Sequence, residues 1–366
     1  MSVQIDSLEK ILLNEAAYKQ RPINGSLELL PLCNMRCKMC YVRLDHQQVS
    51  EQGGLLSTGK WIKIAHEMQK AGVLFLVLTG GEPLLYPGFK KIYLELQKLG
   101  MILTINTNGT LINQEWADFF ANNRPRRINI TVYGGSEKTY ISLCQYENGY
   151  RNALEGIRLL KEKNIEVKIN GSITKDNEHD LEKIYQIGKE MEIPVHVDTY
   201  MSPRSMNDNI DSFRHCRLGP EEAAYIEYIS LKHELTKEKF IRYREKKIKE
   251  ILNKKLYSDG FLCMAANCSF SIDWKGNMRP CVMENRLSFS VLDFGFESAW
   301  EKMIKESRSY KINNKCRNCA YRPVCRICVA SSHLEANRDG VPEYLCRYAK
   351  KMAELLQNEE YRTYME

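Results

Sequence analysis

At 366 residues, with 13 cysteines and a net charge of +7, the chain is long enough for roughly two to three domains and a large core. No apolar run approaches the roughly 20 residues needed to cross a bilayer, and Asp6, Glu9 and Glu15 stand where an export signal would be apolar. A cytoplasmic protein with no membrane partner is therefore expected, and in a reducing compartment its cysteines favour metal binding over disulfides. The densest basic stretch, Lys237 to Lys255, is interspersed with Glu238, Glu245 and Glu250; it reads as the solvated face of a helix, so no nucleic-acid partner is expected.

Residues 1–25 read as a helical lead-in with Leu12, Leu13 and Tyr18 on one face. A first strand, Ser26 to Leu32, runs into Cys33-Asn34-Met35-Arg36-Cys37-Lys38-Met39-Cys40. Three thiolates converging on one point can hold three irons of a four-iron cube and leave the fourth open to a ligand. A structural zinc site wants four ligands, and the nearest further candidate, His46, lies in a polar stretch. A second strand, Leu74 to Thr79, is followed by Gly80-Gly81-Glu82-Pro83, where glycines let the backbone approach a ligand and Pro83 stops the strand. Alone, that tetrapeptide is an ordinary turn.

Four more strand-like runs follow, Ile102 to Asn106, Ile128 to Val132, Val167 to Ile173 and Val195 to Tyr200. Helical faces separate them. Trp61, Ile62, Ala65 and Met68 follow the cap-like Ser57, and Phe89, Ile92, Tyr93 and Leu96 precede Gly100; Ala153 to Leu160 and Leu181 to Ile187 mark two more. Six strands alternating with helices predict an α/β fold with a parallel sheet, open or curved into a partial barrel. Near strand ends, Thr107-Asn108-Gly109, Thr131 and Asn170 suit ligand contacts as well as they suit turn or rim hydrogen bonds.

Beyond a helical linker at 219–258, the region 259–366 carries Cys263, Cys268 and Cys281, then Cys316, Cys319, Cys325 and Cys328, and finally Cys346, ahead of a C-terminal helix. A Trp274-Lys275-Gly276-Asn277 turn between short strands precedes Cys281. Eight ligands make two closed four-cysteine sites, and Cys-x2-Cys pairs are shared by zinc ribbons and iron-sulfur proteins. Cys144 and Cys216 are left over. Most lone cysteines are small core residues, but the basic neighbours of Cys216, Arg214, His215 and Arg217, favour a reactive thiol or a hydrogen donor.

In the spacing of Cys33, Cys37 and Cys40, with Gly80-Gly81-Glu82-Pro83 after the next strand, the chain resembles the radical S-adenosylmethionine (SAM) superfamily. The eight later cysteines resemble its SPASM extension. The resemblance implies a partial (βα)6 barrel over 26–218 followed by a small cysteine-rich domain, with a [4Fe-4S] cluster in the loop after the first strand. It implies that Gly80 to Pro83 hold the SAM amino group, that Thr131 and Asn170 face its carboxylate or ribose, and that Met39 or Tyr41 lies near its adenine. Two auxiliary [4Fe-4S] clusters are implied, one on Cys263, Cys268, Cys281 and Cys328, the other on Cys316, Cys319, Cys325 and Cys346. Reductive cleavage of SAM would yield a 5'-deoxyadenosyl radical acting on a peptide or protein. The partners implied are that substrate, a reductant such as flavodoxin or ferredoxin, and a separate leader-binding protein. Two alternatives stand beside this maturase. Sulfatase-maturating enzymes carry an aspartate directly after the cysteine matching Cys281, where this chain has Val282, with Glu284 out of register. A non-catalytic scaffold would keep its metals purely structural.

Overall fold

The computed structural model describes residues 2–203, 215–261, 263–336 and 340–358, with side chains from Leu8 onward. Arg214 lies outside the described residues.

All six expected strands form. They are β1 Asn24–Glu28, β2 Phe75–Thr79, β3 Ile102–Thr107, β4 Arg127–Thr131, β5 Val167–Ser172 and β6 Val195–Asp198. They pair in parallel in chain order, with registers such as Leu27↔Leu78, Ile105↔Ile128, Thr131↔Asn170 and Gly171↔Val197. Side chains alternate across a strand, so Leu27, Leu76, Leu78, Ile128, Ile130 and Ile169 point to one face and are buried there under the helices.

The helices before and between these strands are α1 Ser2–Tyr18, α2 His46–Glu51, α3 Thr58–Lys70, α4 Phe89–Lys98, α5 Gln114–Asn122, α6 Glu137–Cys144, α7 Gly149–Glu162 and α8 Leu181–Glu190. Ser57 caps α3 by accepting from the Lys60 N–H. The helix buries Trp61, Ile64, Ala65 and Met68, so Ile64 takes the place expected of Ile62, two residues earlier. On α4, Phe89, Ile92, Tyr93 and Leu96 are buried as expected. Each such side chain contributes roughly 1.5–3 kcal/mol of burial.

The linker forms two helices, α9 Pro220–Glu234 and α10 Lys237–Leu252. Strand β7, Ser269–Ile272, pairs in parallel with β1, and β8 Asn277–Arg279 and β9 Phe289–Ser290 follow antiparallel, so the sheet runs β6-β5-β4-β3-β2-β1-β7-β8-β9. The cysteine-rich region thus adds three strands to the β1 edge of the barrel sheet. Gly25 makes the joint possible, because a Cβ there would run into the Phe270 ring. The expected turn forms at Gly276, with φ +85°.

The longer helices that close the structure are α11 Phe296–Ser307, α12 Val329–Ala336 and α13 Glu343–Gln357. Helix α13 packs along α9, with Tyr344 donating to the Leu218 carbonyl at 3.1 Å. At the other end of the barrel, Glu9 of α1 pairs with Arg126, which precedes β4. No described helix is long and apolar enough to cross a membrane.

Candidate active site

The backbone leaving β1 continues alongside β2, with Leu29 N–H donating to Thr79 O at 2.9 Å. The strand pattern expected through Leu32 ends at Glu28, because the next residues bond the turn after β2. There Gly81 N–H donates to Leu30 O at 2.7 Å and Glu82 N–H to Leu32 O at 2.9 Å. Glycine is required at both positions of that turn. A Cβ on Gly80 would strike the Leu30 carbonyl and one on Gly81 the Leu32 carbonyl, and Gly80 sits at φ +146°. Their first use is therefore to seat the loop that carries the cysteines.

Glu82 is 0 % exposed. Its carboxylate accepts from Thr107 Oγ1 at 2.8 Å, Asn108 N–H at 2.8 Å and Leu84 N–H at 3.1 Å, tying the end of β2 to the end of β3. Burial pushes its pKa up to about 7. Pro83 opens a short 3-10 turn, Pro83–Leu85.

Asn108 links this bracket to the cysteine loop. Its amide donates to Asn34 Oδ1 at 2.9 Å and to Cys33 Sγ at 3.7 Å, while Asn34 donates to Thr110 Oγ1 at 2.8 Å. From the other side, Arg36 and Lys38 N–H groups bond the carbonyls of Cys144 and Leu143 at the end of α6. The three thiols lie within electrostatic reach of one another. Burial pushes Cys33 up to about 12, whereas hydrogen bonds from Cys144 and Tyr133 hold Cys37 below its ordinary range.

Met39 and Cys216 are buried in one apolar cluster with Met35, Cys144 and Tyr140, against Cys33, Cys37 and Met201. Cys216 is thus beside the cysteine loop despite its distance in sequence. Thr131 and Asn170 are direct register partners, half-buried on the face of the sheet turned away from the helices. Tyr41 turns its hydroxyl to Glu28, donating at 3.2 Å, and Glu28 is ion-paired with Arg279 of β8. Sequence reasoning missed that pair. Its one signal was a lone charged residue within the apolar run Leu27 to Leu32.

The later cysteines sort into two groups. Cys263, Cys268, Cys281 and Cys328 are electrostatic neighbours, as are Cys316, Cys319, Cys325 and Cys346. The second four line one partly open cavity of about 50 Å³, with Ile327, Leu345 and Ala349 and with the cationic Arg322 and Lys350. Burial pushes Cys281 and Cys325 up to about 12, so their thiolates need a compensating cation. Among the described residues no three His, Cys, Asp or Glu side chains meet closely enough for one metal ion; ligands of a four-iron cube attach to separate corners and stand farther apart.

The Radical SAM superfamily profile matches residues 27–187. Residues 27–187 thus belong to the radical SAM superfamily. Membership makes the chain an enzyme that uses SAM and a [4Fe-4S] cluster. Among relatives, this radical SAM protein is 22% identical to the AdoMet-dependent heme synthase of Methanosarcina barkeri, over 84% of this chain and 90% of that one. It is 25% identical to the cysteine-type anaerobic sulfatase-maturating enzyme of Clostridium novyi, over 80% and 84%. Its fold matches that of Streptococcus suis SuiB bound to precursor peptide SuiA, with TM-score 0.63 and 16% identity over 89% of this chain and 76% of SuiB.

Proposed function

We propose that this radical SAM enzyme matures a peptide or protein, abstracting hydrogen from an unactivated carbon of that substrate. The observation that carries the reading is the eight-cysteine extension sorted into two groups of four, the layout expected of peptide-modifying members. Cys33, Cys37 and Cys40 would hold the [4Fe-4S] cluster, which would supply the electron for reductive cleavage of SAM to the 5'-deoxyadenosyl radical.

The chain's own groups position and shield. The Gly80-Gly81-Glu82-Pro83 turn holds the SAM amino group, and Thr131 and Asn170 offer polar groups to its carboxylate or ribose. Met39 lies at the adenine, beside Tyr41. Cys216 is the hydrogen donor to a substrate radical; its burial among Met35, Met39 and Cys144 supports that role, since such a wall keeps water out. Cys263, Cys268, Cys281 and Cys328 would hold one auxiliary cluster, and Cys316, Cys319, Cys325 and Cys346 the other, whose mainly apolar cavity suits closed ligation and electron transfer. Flavodoxin or ferredoxin is the reducing partner, and a separate leader-binding protein presents the substrate.

Incubating the reconstituted enzyme with peptides encoded beside its gene tests this, with peptide mass change or deuterium uptake from labelled SAM expected. SAM cleavage with every peptide unaltered refutes it. Val282, in place of the aspartate, argues against sulfatase maturation. The near full-length match to heme synthase favours a second reading, an iron porphyrin substrate, which the same assay checks with porphyrin in place of peptide.

A further inference from the structure

Alternation along β4 puts Arg127, Asn129 and Thr131 on the face of the sheet turned away from the helices, and along β5 it puts Lys168, Asn170 and Ser172 there. The registers Asn106↔Asn129↔Lys168 and Asn170↔His196 carry the same polar row from β3 to β6. This lining belongs to neither the cysteine loop nor the glycine turn.

Its charges do not balance. The carboxylates on this face are matched, Glu28 by Arg279 and Asp198 by Arg326. Arg127 and Lys168, both half-buried, have no carboxylate partner among the described residues. Glu234, the acid that Lys168 feels most, is already engaged, by His196 Nδ1 at 2.8 Å and the Val197 N–H at 2.8 Å. Burial and then the Arg127 charge push the Lys168 pKa down, so the two cations destabilise one another where they stand.

Arg127 is also pre-set. Its Nε donates to Asn129 Oδ1 at 3.0 Å, and Asn129 donates in turn to Asn106 Oδ1 at 2.7 Å. That chain fixes the guanidinium plane and leaves its two terminal nitrogens without an acceptor among the described residues. A planar fork beside an ammonium suits a carboxylate, which can take both forked bonds and face the second charge.

We propose that Arg127 and Lys168 form a carboxylate subsite inside the barrel, so that the part of the substrate entering it bears a carboxylate. The inference rests on the barrel interior being the active site. An acidic peptide side chain and a porphyrin propionate share this chemistry, and the experiment separates them.

Binding is measured calorimetrically on anaerobic holoenzyme carrying SAM, using two matched pairs of probes. One pair is acetyl-Ala-Glu-Ala-amide and its Gln twin, the other hemin and its dimethyl ester. In at least one pair the free acid binds ten- to a hundredfold more tightly than its neutral twin, the range for a hydrogen-bonded charge pair, about 1.5–3 kcal/mol, and that pair identifies the source. The preference collapses in Arg127→Gln/Lys168→Gln and survives in Arg127→Lys/Lys168→Arg, with SAM affinity unchanged in both. No acid preference in either pair, or a preference that persists after neutralisation, overturns the subsite. 5'-Deoxyadenosine release after dithionite reduction is scored separately. Release without acid preference sinks the subsite alone, and failure of release sinks the functional reading instead.

Discussion

The cysteine loop after β1 and the four-cysteine cavity near the C-terminus use the same side chain under opposite conditions. In the loop, three half-buried thiols are gripped from outside by Asn108, Tyr133 and the Cys144 thiol. In the cavity, Cys316, Cys319, Cys325 and Cys346 share a mainly apolar wall with Ile327, Leu345 and Ala349, edged by the cationic Arg322 and Lys350. Hydrogen-bond donors on sulfur tune a reactive centre, while a mainly apolar wall protects one that only passes electrons. The difference separates a place where bonds break from a place where they do not.

Alanine substitutions should break that comparison first. Replacing any one of Cys33, Cys37 or Cys40 is expected to abolish 5'-deoxyadenosine formation, by roughly a thousandfold or more for loss of a cofactor ligand. Cys319→Ala is expected to leave that uncoupled cleavage within about tenfold while cutting bound iron by about a third, one cluster of three. Chromatographic assay of 5'-deoxyadenosine beside iron analysis decides it. Equal losses at both sites would erase the distinction.

The seam between the two regions comes next. Glu28 is 1 % exposed and Arg279 2 %, and their pair joins β1 of the barrel to β8, two residues before Cys281. Arg279→Met strands the carboxylate and is expected to cost about 3–5 kcal/mol, whereas Glu28→Gln/Arg279→Met together cost less than the sum. Anaerobic urea unfolding of the four-member cycle measures the coupling. Simple additivity would mean that the pair welds nothing.

Gly81→Ala should follow in size. The new methyl group must displace the Leu32 carbonyl and with it the loop, at roughly 1–3 kcal/mol for overpacking. The expected signature is weaker SAM binding with the auxiliary clusters intact, read by titrating SAM into the reduced enzyme while following its cluster signal. Loss of auxiliary signal instead would mean that the turn supports the whole fold.

The elements legible in the sequence were those whose cause is local. Hydrophobic alternation marked all six barrel strands, and Ser57 with Gly72 and Gly100 punctuated the helices around them. The joining of β7 to β1 was not legible, because nothing in Ser269–Ile272 says which edge it will find; the fit depends on Gly25 facing Phe270 across more than two hundred residues of chain. In the site, the cysteines and the glycine turn were readable from spacing. Arg127 opens β4 and Lys168 follows Val167 in β5, each the one charged residue of its strand, and only the register shows that they share a face. Tyr41 read as a neighbour of SAM, yet its hydroxyl is committed to Glu28, a partner supplied by tertiary contact.

The smallest effect is the most specific to the loop. Asn108 donates to Cys33 Sγ at 3.7 Å and holds Asn34 at 2.9 Å, whereas the cavity thiols are lined mainly by apolar side chains. A donor to a ligand sulfur stabilises the reduced, more negative cluster, so its removal makes reduction harder. For one hydrogen bond of about 1 kcal/mol, Asn108→Leu is expected to lower the barrel cluster's potential by roughly 40 mV, a one-electron conversion. Redox titration followed by electron paramagnetic resonance reads all the clusters in one experiment. A shift confined to the SAM-responsive signal locates the tuning in the second layer around Cys33; an equal shift in every signal would assign it to a general change in the protein's electrostatic field.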